Sequence, residues 1–344
     1  MFKTRPTFIA EISCNHNGSI KNAKKLILEA KKAGADFVKL QTYTADTMTI
    51  KSNSKDFIIK KGIWKNQNLW NLYNEAKTPF EWQKDLFDFA KKIKIKCFST
   101  PFDETAVDLL EKLNCPLYKI ASFEMNHLPL IKKVAKTNKP IIISTGAATI
   151  KEIDEAYNTA KKNGCLNITL LYCVSSYPAK PDDFNLNNIQ IMKKRYNCRV
   201  GLSDHSKGND IAKLAIAAGA DVIEKHIKLP NQKKGFDVKF SADRHEIKKL
   251  ISEMKIIHKY LGKNFFYRSK NEKSSNQFKR SVYTVQDIKK GQKITKKNTK
   301  IIRPGFGIQP KFFIKILNKK SPFNYRAGMP VKNDLLKKLR IKII

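Results

Sequence analysis

The chain has 344 residues, of which 41% are hydrophobic, and its formal net charge at pH 7 is +38. This length is sufficient for a large barrel domain together with a smaller second domain. No apolar run approaches the ~20 residues that a membrane-spanning helix needs, and residues 1–5 lead directly into the first apolar segment without a signal peptide. These features predict a cytoplasmic protein with no membrane partner.

Eight short apolar, β-prone segments recur along most of the chain. Segments with helical periodicity separate them, among them 20–32, 106–113, 151–162, 211–218 and 246–261. Strand–helix alternation repeated eight times predicts an α/β fold, a (β/α)8 TIM barrel, over residues 1–262. The predicted strands are 8–13, 37–43, 95–100, 117–122, 140–146, 168–175, 199–205 and 222–227.

Polar side chains lie at the end of every predicted strand. Because the active sites of such barrels lie at the carboxyl ends of the strands, this pattern predicts an enzyme. In chain order the groups are Glu11 and Ser13; Lys39 and Gln41; Ser99 and Thr100; Lys119, Ser122 and Glu124; Ser144 and Thr145; Ser175 and Tyr177; Ser203 and His205; Glu224 and His226.

Two lysines, Lys39 and Lys119, lie at or near the ends of predicted strands two and four. One interpretation is a Schiff-base lysine, as in barrel aldolases. A second is an ammonium clamp for phosphate or carboxylate, and a third is a lysine whose charged end reaches solvent at the rim. Two lysines in one mouth favour anion binding, since a Schiff base needs only one.

His205 and His226 hold equivalent positions at the ends of neighbouring predicted strands. Two imidazoles at matched strand ends, with open positions for water, suit a catalytic Mn, Zn, Co or Fe ion better than a closed structural site. The alternative for each histidine is a buried hydrogen-bonding side chain without metal. The matched positions favour the metal interpretation.

Other polar residues complete the predicted mouth. Glu11 and Glu124 are candidates for general acid–base catalysis or for holding substrate hydroxyls. No histidine base is paired with a serine in a triad motif, so the serines are predicted to donate hydrogen bonds to phosphate oxygens. These serines are Ser122, Ser144 and Ser203, and Asp237 lies in the loop after strand eight. The residues alone predict a metal-dependent enzyme acting on a phosphorylated or carboxylated small molecule.

The pattern changes after Gly262. Residues 263–280 are polar, aperiodic and rich in Ser and Asn, so they are predicted to be a linker. Residues 281–344 contain short β-prone segments with Gly and Pro turns, which predicts a small domain with little core of its own.

The excess positive charge has two interpretations. Clustered Lys and Arg would indicate nucleic-acid binding, because such clusters release counterions from phosphates. Lysine dominates here and occurs in pairs dispersed over predicted outer helices, such as Lys24-Lys25 and Lys248-Lys249. This dispersion favours solvated helix faces and no nucleic-acid partner, although the charge would still attract an anionic substrate. Six cysteines without CxxC spacing predict reduced thiols.

Eight motifs, in order along nearly the whole chain, resemble those of the nonulosonic (sialic) acid synthase family. Together they are highly specific, although each alone would be a weak signal. The C-terminal segment is similar to the antifreeze-like (SAF) domain of these synthases. The motifs are residues 9–18 (IAEISCNHNG), 38–42 (VKLQT), 98–102 (FSTPF), 118–122 (YKIAS), 144–146 (STG), 201–205 (GLSDH), 223–226 (IEKH) and 303–305 (RPG).

The resemblance implies that phosphoenolpyruvate condenses with the open-chain aldehyde of an acylated amino sugar and that phosphate is released. It implies a catalytic set of Glu11, Lys119, His205 and His226. The two histidines would hold a divalent ion, Mn²⁺ with Co²⁺ or Mg²⁺ as alternatives. Arg303 matches an arginine that reaches the acyl group of the sugar in the partner subunit of a domain-swapped homodimer.

The resemblance also implies two sets of substrate-binding residues. Lys39, Lys119, Ser122, Ser144 and Ser203 match positions that hold phosphoenolpyruvate. Positions that bind or orient the acceptor sugar and the attacking water are matched by Glu11, Gln41, Glu124, Tyr177 and Asp237.

Within the family, several segments look most like the pseudaminic acid synthases, whose acceptor is 2,4-diacetamido-2,4,6-trideoxy-L-altrose. The loop after strand two is rich in aromatic residues (Phe57, Trp64, Trp70 and Tyr73), which either contact this 6-deoxy sugar or pack the loop against the barrel. Ser175 stands where N-acetylneuraminate-forming members tend to have Asn, so its sugar contacts are expected to differ. The alternatives are N-acetylneuraminate or legionaminic acid synthesis with another acetamido hexose.

Overall fold

A computed structural model describes residues 5–262 and 268–342 of the chain. The chain divides into two compact units, Met1–Gly262 and Lys263–Ile344. Residues 263–267, which begin the predicted linker, lie outside the described residues. No helix in the described ranges is both long and apolar enough to cross a membrane.

Eight parallel strands close the first unit into a barrel, in the order of the sequence. Residues 7–11 of the first strand pair with residues 222–226 of the last, which completes the ring. The predicted TIM barrel is therefore confirmed. The strands are β1 Thr7–Glu11, β2 Phe37–Thr42, β3 Lys96–Pro101, β4 Tyr118–Ile120, β5 Ile141–Ser144, β6 Ile168–Cys173, β7 Arg199–Asp204 and β8 Val222–His226.

Amphipathic helices cover the barrel. The first begins at an N-cap, Ser19, whose side chain accepts a hydrogen bond from the Asn22 amide, and ends at Gly34, whose φ of 89° suits glycine. Its buried face packs on the strands. The helices of this unit are α1 Ile20–Ala33, α2 Ala45–Met48, α3 Leu69–Ala76, α4 Phe80–Lys92, α5 Glu104–Lys112, α6 Leu128–Ala135, α7 Ile150–Lys162, α8 Asn188–Tyr196, α9 Asp210–Ala217 and α10 Arg244–Leu261.

The side chains of β7 and β8 alternate between the two faces of the barrel wall. Asp204 is paired in register with Lys225, and both point away from the mouth. Lys225 Nζ lies 2.7 Å from Asp204 Oδ2 and donates to the Ser206 carbonyl at 2.8 Å. Both side chains are fully buried, so this ion pair joins the two strands behind the residues that face the mouth.

The second unit contains a small antiparallel sheet of β9, Ser281–Thr284, and β10, Thr299–Ile302. Part of the predicted aperiodic linker is helical, since α11 covers Lys270–Ser274. The other helices are α12, Phe313–Ile316, and α13, Asn333–Lys338. The unit has its own core of Val282, Ile294, Ile308, Phe312, Ile316, Val331, Leu335 and Leu336.

Candidate active site

The carboxyl ends of the strands surround a cavity of about 310 Å³, here called the mouth cavity. Its volume is in the range of small-molecule sites. Polar groups come mainly from the strand ends and the loop after β8. They are Ser13, Lys39, Gln41, Lys119, Ser122, Glu124, Ser144, Tyr177, Ser203, His205, Glu224, His226 and Asp237.

Four buried charged side chains form the floor of this cavity. Lys39 Nζ lies 2.6 Å from Glu11 Oε2 and 3.5 Å from Glu224 Oε1. Lys119 Nζ lies 3.9 Å from the same Glu224 oxygen and donates to the Ile120 carbonyl at 3.1 Å. Two ammonium groups therefore converge on one carboxylate, an arrangement that leaves donors available for an anionic ligand.

Burial and ion pairing shift the pKa values of the floor residues in opposite directions. Burial lowers the pKa of Lys39, but Glu11 and Glu224 outweigh it, so the pKa is raised. Burial also lowers the pKa of Lys119, to about 8, because Glu224 compensates only in part. Burial would raise the pKa of Glu224, yet Lys119 and Lys39 hold it well below its usual range. Near neutral pH Lys39 and Lys119 are therefore predominantly in their charged ammonium forms.

Hydroxyl groups surround the two ammonium groups. Ser203 Oγ donates to Glu224 Oε1 at 3.0 Å, and Ser122 Oγ accepts from the Gly146 amide at 3.0 Å. The Ser144 hydroxyl is buried without a hydrogen-bond partner in the described residues. A buried hydroxyl without a partner costs free energy. A bound oxyanion would remove this cost by accepting a hydrogen bond from the Ser144 hydroxyl.

The two histidines lie side by side at the ends of the neighbouring strands β7 and β8, with ring centroids 5.4 Å apart. His205 Nδ1 lies 3.1 Å from the Val174 carbonyl, so in the neutral imidazole this nitrogen carries the proton and Nε2 keeps its lone pair. His226 Nδ1 is buried and has no well-aligned hydrogen-bond partner in the described residues, although Asp237 Oδ2 lies 3.4 Å away.

These histidines are suited to bind a divalent ion, because each has an imidazole nitrogen that accepts no hydrogen bond from a donor in the described residues. No group of three or more His, Cys, Asp or Glu side chains in residues 5–262 and 268–342 is arranged to hold a metal. A site with two protein ligands needs water or substrate for its remaining positions, which is typical of an open catalytic site.

Asp237 is held in the mouth by contacts between the loops after β1 and β8. Its carboxylate accepts a short hydrogen bond from the Ser13 hydroxyl. Asn15 Nδ2 donates to the Ile227 carbonyl and to Ser241 Oγ, both at 2.8 Å. Ser241 Oγ in turn donates to the Asp237 carbonyl at 2.7 Å. The buried Asn15 therefore fixes the loop that presents Asp237 beside His226.

One side of the mouth cavity is apolar, and we call it the apolar wall. Most of it comes from the long connection between β2 and α4. Trp64 packs against Tyr177 with ring centroids 5.4 Å apart, whereas Trp70 donates to Asp46 outside the cavity at 2.8 Å. The wall consists of Tyr43, Met48, Ile59, Trp64, Leu69, Leu72, Tyr73, Ala76, Phe102, Phe123 and Phe236.

The structure brings most of the predicted site residues to this cavity. Glu11 lies beneath it, where it contacts Lys39. Ser175 is half-buried, with Oγ 3.9 Å from Cys173 Sγ, and is not among the described lining residues. Arg303 lies in the second unit, where its side chain is exposed.

The sequence placed Glu224 at the end of the eighth predicted strand, but it gave this residue no role in the site and did not single out Asn15. Alternation along β8 puts Glu224 on the same face as His226, so the pattern could have assigned it to the floor of the cavity. Asn15 gave no local signal, because its partners are more than two hundred positions away in the chain.

Comparisons with known proteins agree with this geometry. Residues 26–265 match the NeuB family, and residues 279–337 match the SAF domain. The pseudaminic acid synthase of Helicobacter pylori is 41% identical over 330 residues, covering 96% of this chain and 97% of that protein.

Two further proteins are similar. The N,N'-diacetyllegionaminic acid synthase of Campylobacter jejuni is 39% identical over 322 residues, covering 92% of this chain and 96% of that protein. A crystal structure of the N-acetylneuraminic acid (sialic acid) synthetase of Leptospira borgpetersenii, in complex with citrate, is 32% identical. Its TM-score is 0.72, and the match covers 79% of this chain and 90% of that one.

Proposed function

Since the chain belongs to the NeuB family, we propose that it condenses phosphoenolpyruvate with 2,4-diacetamido-2,4,6-trideoxy-L-altrose and water to give pseudaminic acid and phosphate. The observation that carries this proposal is the 41% identity to a pseudaminic acid synthase over nearly the whole length of both chains. The enzyme is thus a phosphoenolpyruvate-dependent transferase of the nonulosonic acid synthase type. The 39% identity to a legionaminic acid synthase makes another diacetamido hexose the second candidate acceptor.

The floor of the mouth cavity suits phosphoenolpyruvate. Lys39 and Lys119 converge there, and the Ser144 hydroxyl lacks a partner in the described residues. Phosphate and carboxylate groups of the substrate supply the acceptors that these donors need, and charge-assisted hydrogen bonds are the strong ones. Ser122 and Ser203 also line this part of the cavity, and the Ser203 hydroxyl, which donates to Glu224, can still accept a hydrogen bond.

The proposed reaction forms a C–C bond between the enol carbon of phosphoenolpyruvate and the sugar aldehyde carbon. Water then attacks C2 of the resulting oxocarbenium, and phosphate leaves with cleavage of its C–O bond. Lys39 and Lys119 neutralise the departing phosphate, and Glu11, held against Lys39, is the proposed acid–base group. Gln41, Glu124, Tyr177 and Asp237 orient the sugar and the water.

A divalent ion, Mn²⁺ with Co²⁺ or Mg²⁺ as alternatives, is proposed at His205 and His226. When bound, such an ion supplies positive charge that stabilises the oxygen of the aldehyde during attack. Val174 and Asp237 orient the two imidazoles for this role. We place the reaction in the cytoplasm, and we propose a homodimer in which Arg303 of the partner subunit reaches the acyl group of the sugar. Neither a membrane nor a nucleic acid is a proposed partner.

Phosphate release with phosphoenolpyruvate and a panel of acetamido hexoses tests the proposal. We expect the diacetamido altrose to exceed N-acetylmannosamine in kcat/KM by about 10⁴-fold, because a site built for the 4-acetamido group leaves buried partners unpaired without it. Phosphoenolpyruvate labelled with ¹⁸O at the bridging position should deliver its label to phosphate. Comparable kcat/KM for N-acetylmannosamine would instead assign the chain to the N-acetylneuraminate branch.

Chelation separates this proposal from the aldolase alternative. EDTA should abolish turnover, and Mn²⁺ or Co²⁺ should restore it. Borohydride trapping of Lys39 or Lys119 on substrate, together with activity that EDTA does not affect, would establish a Schiff-base mechanism in its place.

A further inference from the structure

A second cavity, of about 440 Å³, adjoins the mouth cavity. Four residues, Met48, Phe102, Phe123 and Glu124, line both cavities and form a shared boundary between the two spaces. We call the second space the side chamber. Its other lining residues are polar, namely Thr47, Asp103, Glu104, Thr105 and His127.

The shared residues present an unusual combination of groups. Phe123 is 63% exposed, so its ring is available to a ligand. Next to it, Glu124 Oε2 is buried and has no hydrogen-bond partner in the described residues. An apolar surface beside an unpaired acceptor is complementary to a group that carries an N–H donor next to a methyl. An acetamido group has this composition, whereas a hydroxyl lacks the methyl.

The position of the side chamber indicates which acetamido group it takes. Phe102 directly follows β3, and Phe123 and Glu124 follow β4, whereas His205 and His226 are at the ends of β7 and β8. In a barrel closed in sequence order, β3 and β4 lie across the mouth from β7 and β8. A sugar whose aldehyde is at the histidines therefore directs the substituents remote from that aldehyde toward the side chamber.

We propose that the side chamber binds the 4-acetamido group of the acceptor sugar, with its N–H donating to Glu124 and its methyl packed among Met48, Phe102 and Phe123. These residues then determine specificity between 4-acetamido sugars and their 4-hydroxy counterparts. This inference rests on the proposed function, because it assigns a subsite to the acceptor of that reaction.

The test compares two sugars, the diacetamido altrose and its analogue with a hydroxyl at C4, in the full-length enzyme. Met48→Trp should fill the side chamber and lower kcat/KM for the diacetamido sugar by about 100-fold, a loss about tenfold larger than the loss for the 4-hydroxy sugar. Phe123→Ala should lower the ratio of kcat/KM for the diacetamido sugar to kcat/KM for the 4-hydroxy sugar by about 10-fold, because the ring no longer contacts the acetamido methyl. Because Phe123 is largely exposed, this variant should keep the wild-type melting temperature.

Ile59→Ala is the matched control, since Ile59 lines the mouth cavity but not the side chamber. It should change the two kcat/KM values by the same factor. Equal loss for both sugars in Met48→Trp and Phe123→Ala, with wild-type folding, would overturn the subsite and leave the proposed function intact. A wild-type enzyme that releases no phosphate with any 4-acetamido sugar would overturn both.

Discussion

Glu124 is a carboxyl group whose burial disfavours its charged form. Burial raises its pKa from the ordinary 4.5 to about 7, although Lys119 opposes the shift. Between these two values the folded chain holds a proton that the unfolded chain has released, so the folded state loses stability as pH rises through this range. Glu124→Gln removes the titration.

Relative to Glu124→Gln, we therefore expect the wild-type free energy of unfolding to fall by about 2 kcal/mol between pH 5 and pH 8, less than the full shift because the side chain is partly exposed. Urea unfolding of both proteins at several pH values measures this difference. A difference that is constant with pH would show that Glu124 has an ordinary pKa.

Lys119 leads to a second prediction of pH dependence, here for an ammonium group and for enzyme activity. Burial lowers its pKa to about 8, so the ammonium is charged below that pH and loses its proton above it. Because kcat/KM reports the free enzyme, kcat/KM for phosphoenolpyruvate should fall about tenfold per unit above pH 8. An arginine stays charged throughout this pH range, so Lys119→Arg should move the fall in kcat/KM to higher pH. A decline at the same pH in Lys119→Arg would assign it to another group.

Among the elements, β7 and β8 depend on each other through the ion pair of Asp204 and Lys225. Removing one partner leaves a buried charge uncompensated, so Asp204→Leu and Lys225→Met should each lower the free energy of unfolding by about 3–5 kcal/mol. The double variant has no unpaired charge and should be more stable than either single variant. Thermal and urea unfolding of the four proteins measure the coupling, and additive losses would contradict it.

The sequence predicts features that depend on neighbouring residues better than features that depend on contacts between residues distant in the chain. Buried parallel strands appear as apolar runs, so all eight could be located, with ends that differ by a few residues, as at β4, which stops at Ile120. The strand-end rule also placed Lys39, Lys119 and both histidines at the mouth. It could not show that Glu224 lies between the lysines, or that Asn15 joins two loops, because those contacts depend on the closed barrel.

At the scale of the whole molecule, the proposed homodimer predicts complementation between inactive variants. His205→Ala removes a proposed metal ligand, and Arg303→Ala removes the side chain proposed to reach the neighbouring site. After subunit exchange, a heterodimer contains one site with both defects and one with neither, so a mixture should recover up to about a quarter of wild-type activity. Mixed samples in which exchange is verified by mass but activity stays absent would mean that each chain completes its own site.

The walls of the mouth cavity come from two different parts of the fold, and this has an evolutionary consequence. The strand ends that form the floor also hold the barrel together, whereas most of the apolar wall belongs to one connection between β2 and α4. Loops tolerate substitution and changes in length far better than buried strands do. A lineage can therefore remodel much of the surface that faces the sugar by mutating a single segment, while the half of the site that handles the common three-carbon donor is inherited unchanged.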